Sequence, residues 1–116
     1  MATESILKDW IAAYAAQDDA DKFLSLFGDD AEWMDWGEPM FKESGPRKVK
    51  DMEDLIRSSA HSFEVKFTSY FISPDDRFAA VQGILTDNGK TVPAAAILEF
   101  KDGKIDKETW YHDRVR

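Results

Sequence analysis

The chain has 116 residues, of which 43% are hydrophobic and 33% charged, an ordinary balance for one folded domain with a single core and too short for two. Asp and Glu number 23 against 15 Lys and Arg, a formal net charge of −8, so the average field repels phosphate backbones and anionic lipid, and neither nucleic acid nor a membrane is an expected partner. With no cysteine, disulfides, thiolate metal sites and cysteine nucleophiles are excluded, and the available chemistry is that of oxygen groups and imidazole.

Over residues 5–16 the apolar side chains Ile6, Leu7, Trp10, Ile11 and Tyr14 recur at steps of three and four, which predicts a helix with one buried face, Thr3 or Ser5 as its N-cap and Gln17-Asp18-Asp19 as its end. A second helix is expected over 19–27, with Phe23, Leu24 and Phe27 inward and Gly28 as its stop. Alternation over 31–36 predicts a strand that puts Ala31, Trp33 and Asp35 on one face. Gly37, Pro39, Gly45 and Pro46 read as loop, and Val49, Met52, Leu55 and Ile56 mark a third helix over 47–60. From Phe63 the period changes to two. Strands follow over 63–72, 77–86, 91–100 and 104–113, joined by the turns Ser73-Pro74-Asp75-Asp76, Asp87-Asn88-Gly89 and Lys101-Asp102-Gly103. The predicted fold is α+β: one curved antiparallel sheet whose concave face is covered by three helices, a cone with room inside for a small apolar molecule. No run approaches the roughly 20 apolar residues of a membrane span. Residues 1–9 lack the basic and apolar segments of a secretory signal, so the expected compartment is the cytoplasm.

Several phrases carry a resemblance. Trp10-Ile11-Ala12-Ala13-Tyr14, Phe27-Gly28-Asp29-Asp30-Ala31-Glu32-Trp33, Phe100-Lys101-Asp102-Gly103-Lys104-Ile105 and Tyr111-His112-Asp113 make the chain resemble the nuclear transport factor two-like superfamily, nearest to its SnoaL-like polyketide cyclases and ketosteroid isomerases. The resemblance spans nearly the whole chain. It implies a cone-shaped α+β barrel, usually dimeric, with a cavity and no cofactor. It places the isomerases' general base on Asp35. Their oxyanion-holding tyrosine and aspartate fall on Trp10 and Ala96, neither of which is an acid, so steroid isomerisation is not implied. The acid/base group of the SnoaL-like cyclases falls on Asp113, and Asp35 with His112 and His61 invites comparison with the scytalone dehydratase-like members.

On its own physics, a carboxylate at position 35 in an aromatic, poorly hydrated cavity would be a useful proton acceptor near neutral pH. Period two puts Glu108, Trp110 and His112 on one face of the last strand and Thr109, Tyr111 and Asp113 on the other. With the first set inward, His112 becomes the partner of Asp35, and Glu108 could fix the imidazole's tautomer. Tyr14 or Trp10 is expected to hold a substrate oxygen, and Tyr14 to orient Asp35. Trp10, Phe27, Trp33, Trp36, Met52, Leu55, His61, Glu108 and Trp110 are the expected substrate contacts. No His-x-x-x-His or Glu-x-x-His phrase occurs, so no metal site is expected. The expectation is a small cofactor-free lyase, isomerase or cyclase acting on an apolar, oxygen-bearing metabolite such as a polyketide or terpenoid. Its homodimer would form through the outer sheet face. The alternatives are a non-catalytic binding or dimerisation module and, third, an epoxide hydrolase, which would need Arg77 or Arg114 between two acids at the cavity base.

Overall fold

A computed structural model describes residues 2–113 of the chain. The elements run α1 (Ala2–Ala16), α2 (Ala20–Ser25), β1 (Phe27–Asp35), α3 (Pro39–Ser44), β2 (Arg47–Lys48), a 3-10 turn (Val49–Met52), α4 (Glu53–Ser58), β3 (Glu64–Ile72), β4 (Phe78–Asp87), β5 (Lys90–Lys101) and β6 (Lys104–His112). The architecture is the expected α+β one, with helices in the N-terminal half and a six-stranded curved sheet in the order β2-β1-β6-β5-β4-β3. Among the described residues, no helix is long and apolar enough to cross a membrane.

Period two produced the four late strands as read. Their two tight turns place Asn88 and Gly89 at φ 54° and 77°, and Asp102 and Gly103 at 53° and 75°. A two-residue hairpin needs positive φ at both central positions to match the twist of its strands. Other boundaries moved. Helix α1 starts at Ala2, and Thr3 is not its cap: the Thr3 hydroxyl donates to the Asp76 carbonyl at 2.9 Å, tying the helix to the β3–β4 turn. Gly28 does not stop α2. The chain leaves the helix at Leu26, whose carbonyl accepts from Ile105 N–H at 2.9 Å, and sheet pairing with β6 begins at Phe27. The expected helix over 47–60 is divided, because Arg47 and Lys48 pair with Trp33 and Glu32 and close the open edge of β1. The expected loop contains α3: Pro39 supplies a pre-set φ at the helix start, and Phe41 is buried against Met34 and Met52.

One pairing differs from the expected all-antiparallel sheet. Strand β1 lies parallel to β6, with Trp33 opposite Glu108 and Asp35 opposite Trp110. Such a pairing needs a long crossover, which here is everything from α3 to β5. The inner face of the sheet contributes Val81, Leu85, Ala96, Leu98 and Trp110, which pack with Leu7, Trp10 and Tyr14 of α1.

Candidate active site

Asp35 ends β1 and His112 ends β6. Because the two strands run in the same direction, with Asp35 level with Trp110, His112 lies two residues further along the same face and reaches back to the carboxylate. The Nε2 of His112 is 2.8 Å from Asp35 Oδ1, with 2% of the imidazole side chain and 11% of the carboxylate side chain exposed. The same Oδ1 accepts from Gly37 N–H at 2.9 Å. Gly37 is also the floor under the ring: a Cβ there would stand 2.0 Å from His112 Cε1. The Nδ1 of His112 is buried without a partner. The geometry matches an N–H on Nε2, which donates to Asp35.

Glu108 forms a second centre. It is 1% exposed. Its Oε1 accepts from Trp10 Nε1 at 2.7 Å, and its Oε2 accepts from Tyr14 Oη at 2.5 Å and Trp110 Nε1 at 2.6 Å. Burial pushes the carboxyl above its ordinary value, and the hydrogen bonds from Tyr14, Trp10 and Trp110 pull it part of the way back. Burial, reinforced by the adjacent Glu108 charge, pushes the Tyr14 phenol well above its ordinary value. The aromatic rings interlock: Trp10 stacks on Trp110 at 5.8 Å and meets Tyr14 edge-on at 4.8 Å.

Beneath the helices lies a cavity of about 710 Å³, lined chiefly by apolar side chains from α1, α2, β1 and the later strands, with Asp35, Glu108 and His112 in its wall. Tyr14, Phe27, Trp33, Leu55 and Trp110 are among the lining residues. Trp33 Nε1 is buried, and its indole N–H adds a weaker pull on the Glu108 carboxyl.

Several expectations are corrected. Tyr14 and Trp10 donate to Glu108 rather than to Asp35. Trp10 is completely buried in the core. Glu108 does not set the tautomer of His112; its oxygens are held by the three aromatic donors. Met52 is buried in the cluster behind β1 with Met34 and Phe41. Trp36 is 48% exposed and outside the cavity. His61 is exposed and also outside the lining, its backbone N–H donating to Gln17 Oε1 at 2.7 Å. Asp113 is exposed beyond the end of β6. No arginine sits at the cavity base among the described residues. Arg57 is at the rim, paired with Asp21 at 2.6 Å and Glu53 at 3.0 Å. Arg77 lies in the β3–β4 turn and Arg114 lies outside the described residues.

Sequence reading missed Gly37 and Glu38. The spacing Asp35-x-Gly37 is the available signal for the first, because an Asp side chain commonly accepts from the N–H two residues on. Asp35, Glu38 and His112 each bring a ligating atom within 4.8 Å of the others. Two carboxylates and an imidazole could hold a divalent cation, and a motif scan overlooks the set because strand pairing assembles it.

The family model described as SnoaL-like domain matches residues 7–108. The chain belongs to the SnoaL-like domain family. No curated protein matches it. Among solved structures, this SnoaL-like chain is similar to a protein provisionally described as a polyketide cyclase from Pseudomonas putida KT2440, at 20% identity and TM-score 0.74, covering 96% of this chain and 91% of that one. An NTF2-like protein of unknown function from Cytophaga hutchinsonii superposes at TM-score 0.76 and 16% identity, covering 96% and 89%. An LEH-like epoxide hydrolase from M. tuberculosis does so at 0.72 and 18%, covering 97% and 83%. At these identities the likeness is one of fold, which in itself assigns no reaction.

Proposed function

We propose that this SnoaL-like chain is an acid–base enzyme of the lyase, isomerase or cyclase type that moves a proton on an apolar, oxygen-bearing metabolite such as a polyketide or terpenoid, using only its own side chains. The observation that carries this reading is the setting of Asp35, a carboxylate in the wall of an apolar cavity, fixed by Gly37 N–H and His112 Nε2 and still partly accessible. Fixing the carboxylate in place removes the entropy of finding the reacting C–H. Asp35 takes the proton and returns it. His112 stands behind it, orienting the carboxylate through the Nε2–H hydrogen bond.

A second copy of the chain is the proposed partner, through the outer sheet face, where Phe71, Ile97 and Tyr111 are 65%, 38% and 48% exposed.

The test is hydrogen exchange. Apolar cyclic ketones incubated with the protein in D2O, followed by NMR, are expected to exchange their α-protons. Asp35→Asn is expected to slow that exchange by about 10²–10⁴-fold while the ketones still bind. Undiminished exchange in the variant, or none by the wild type with ketones that bind, would overturn the reading; binding without exchange would mark a binding module.

A further inference from the structure

A site built to stabilise an oxyanion aims donors at the substrate, whereas the donors here are turned into the protein. Tyr14, Trp10 and Trp110 donate to Glu108, and His112 Nε2 is committed to Asp35. Gln17 Nε2 donates to the Phe63 carbonyl at 2.9 Å. The hydroxyls of Ser59 and Ser62 donate to the carbonyls of Ile56 and Ser59. Trp33 Nε1 is buried level with Glu108 on the neighbouring strand and acts on that carboxyl too. What remains for a ligand is aromatic surface and negative charge. Among the described lining residues the single arginine, Arg57, is taken up by Asp21 and Glu53, and Glu108 is satisfied by its three donors, so the carboxylate set in the apolar wall beside a ligand is Asp35.

We infer that the apolar, oxygen-bearing ligand of this cavity also bears a positively charged nitrogen, an ammonium or iminium, seated among the aromatic side chains and beside Asp35. Ring faces attract cations, more strongly where water is excluded. A carboxylate in the same low-dielectric wall adds Coulomb attraction. For an iminium, the chemistry also closes without an oxyanion hole. The α C–H bond breaks, its proton goes to Asp35, its electron pair forms the C=C bond, and the C=N π pair returns to nitrogen. A neutral enamine and a neutral acid result, so no negative charge develops on the substrate. That step rests on the reading of Asp35 as the proton acceptor; the binding preference does not.

An isosteric series separates the charges: phenyltrimethylammonium, tert-butylbenzene and benzenesulfonate, with binding followed by tryptophan fluorescence and calorimetry. The ammonium is expected to bind about tenfold tighter than the neutral isostere, with the sulfonate weakest. Asp35→Asn, which keeps the shape of the side chain, is expected to shrink the preference, with a matching urea midpoint confirming an intact fold. Equal or tighter binding of either isostere, no binding of any of the three, or an unchanged preference in Asp35→Asn would overturn the inference. If ammonium selectivity holds but ketone exchange does not depend on Asp35, the catalytic reading fails alone. If exchange depends on Asp35 but selectivity is absent, the ligand class is wrong and the base survives.

Discussion

Glu108 shows how one buried oxygen pair organises its surroundings. Two indoles and a phenol donate to it, and leaving any of these donors unmatched would cost roughly 1–3 kcal/mol. Its carboxyl is raised above the ordinary 4.5, so the folded protein holds this proton more firmly than the unfolded chain does. The stability contributed by that proton is therefore fully present below about pH 4.5 and is lost as pH rises through the folded value. Urea unfolding measured across this window is expected to show the wild type losing stability relative to Glu108→Gln as pH rises; a difference independent of pH would contradict the assignment. Gly37 controls the other centre by having no side chain. In Gly37→Ala the new methyl would collide with the imidazole. We expect destabilisation of about 1–3 kcal/mol from overpacking, a displaced His112 ring signal by NMR, and loss of ketone exchange.

At the scale of elements, the back of β1 depends on a helix of only six residues, α3. Phe41 is 2% exposed between Met34 and Met52 and meets the Trp33 ring edge-on at 5.4 Å. Phe41→Ala is expected to cost about 3–5 kcal/mol in urea unfolding; a loss below 1 kcal/mol would mean that α3 contributes little. This helix was hidden in the sequence because Pro39 serves equally well as a loop breaker and as a first helical residue. The divided third helix was hidden for a different reason. The spacing of Val49, Met52, Leu55 and Ile56 is met by a 3-10 turn followed by a short helix as well as by one long helix, and the competing pairing of Arg47 and Lys48 with β1 is long-range. Local periodicity did group Trp33 with Asp35 on β1 and Glu108 with Trp110 and His112 on β6, since each strand has only two faces; which group turns inward was a matter of the family resemblance. The hydrogen-bond partners of Trp10 and Tyr14 were not legible, because they depend on where α1 docks over the sheet. Glu108 therefore read as a helper of histidine, when its three partners are aromatic.

For the whole molecule, the outer face of the sheet is the surface on which a second copy would sit. Phe71 pairs with Ala80 and Ala80 with Ile97, which in turn neighbours Thr109, a band running across four strands. Light scattering during size exclusion is expected to give twice the 13.2 kDa chain mass for the wild type and the single mass for Ile97→Lys, with cavity binding retained; a monomeric wild type would remove this surface as an interface. The direction of β1 beside β6 has a larger consequence. Reversing either nine-residue strand would leave most of the sheet's hydrogen bonding possible, yet it would carry Asp35 and His112 to opposite rims, roughly 30 Å apart at the usual rise per residue. The pair exists because of chain orientation, so no local sequence window contains it, and a redesign that conserved every side chain but rewired that one connection would keep a sheet and abolish the dyad.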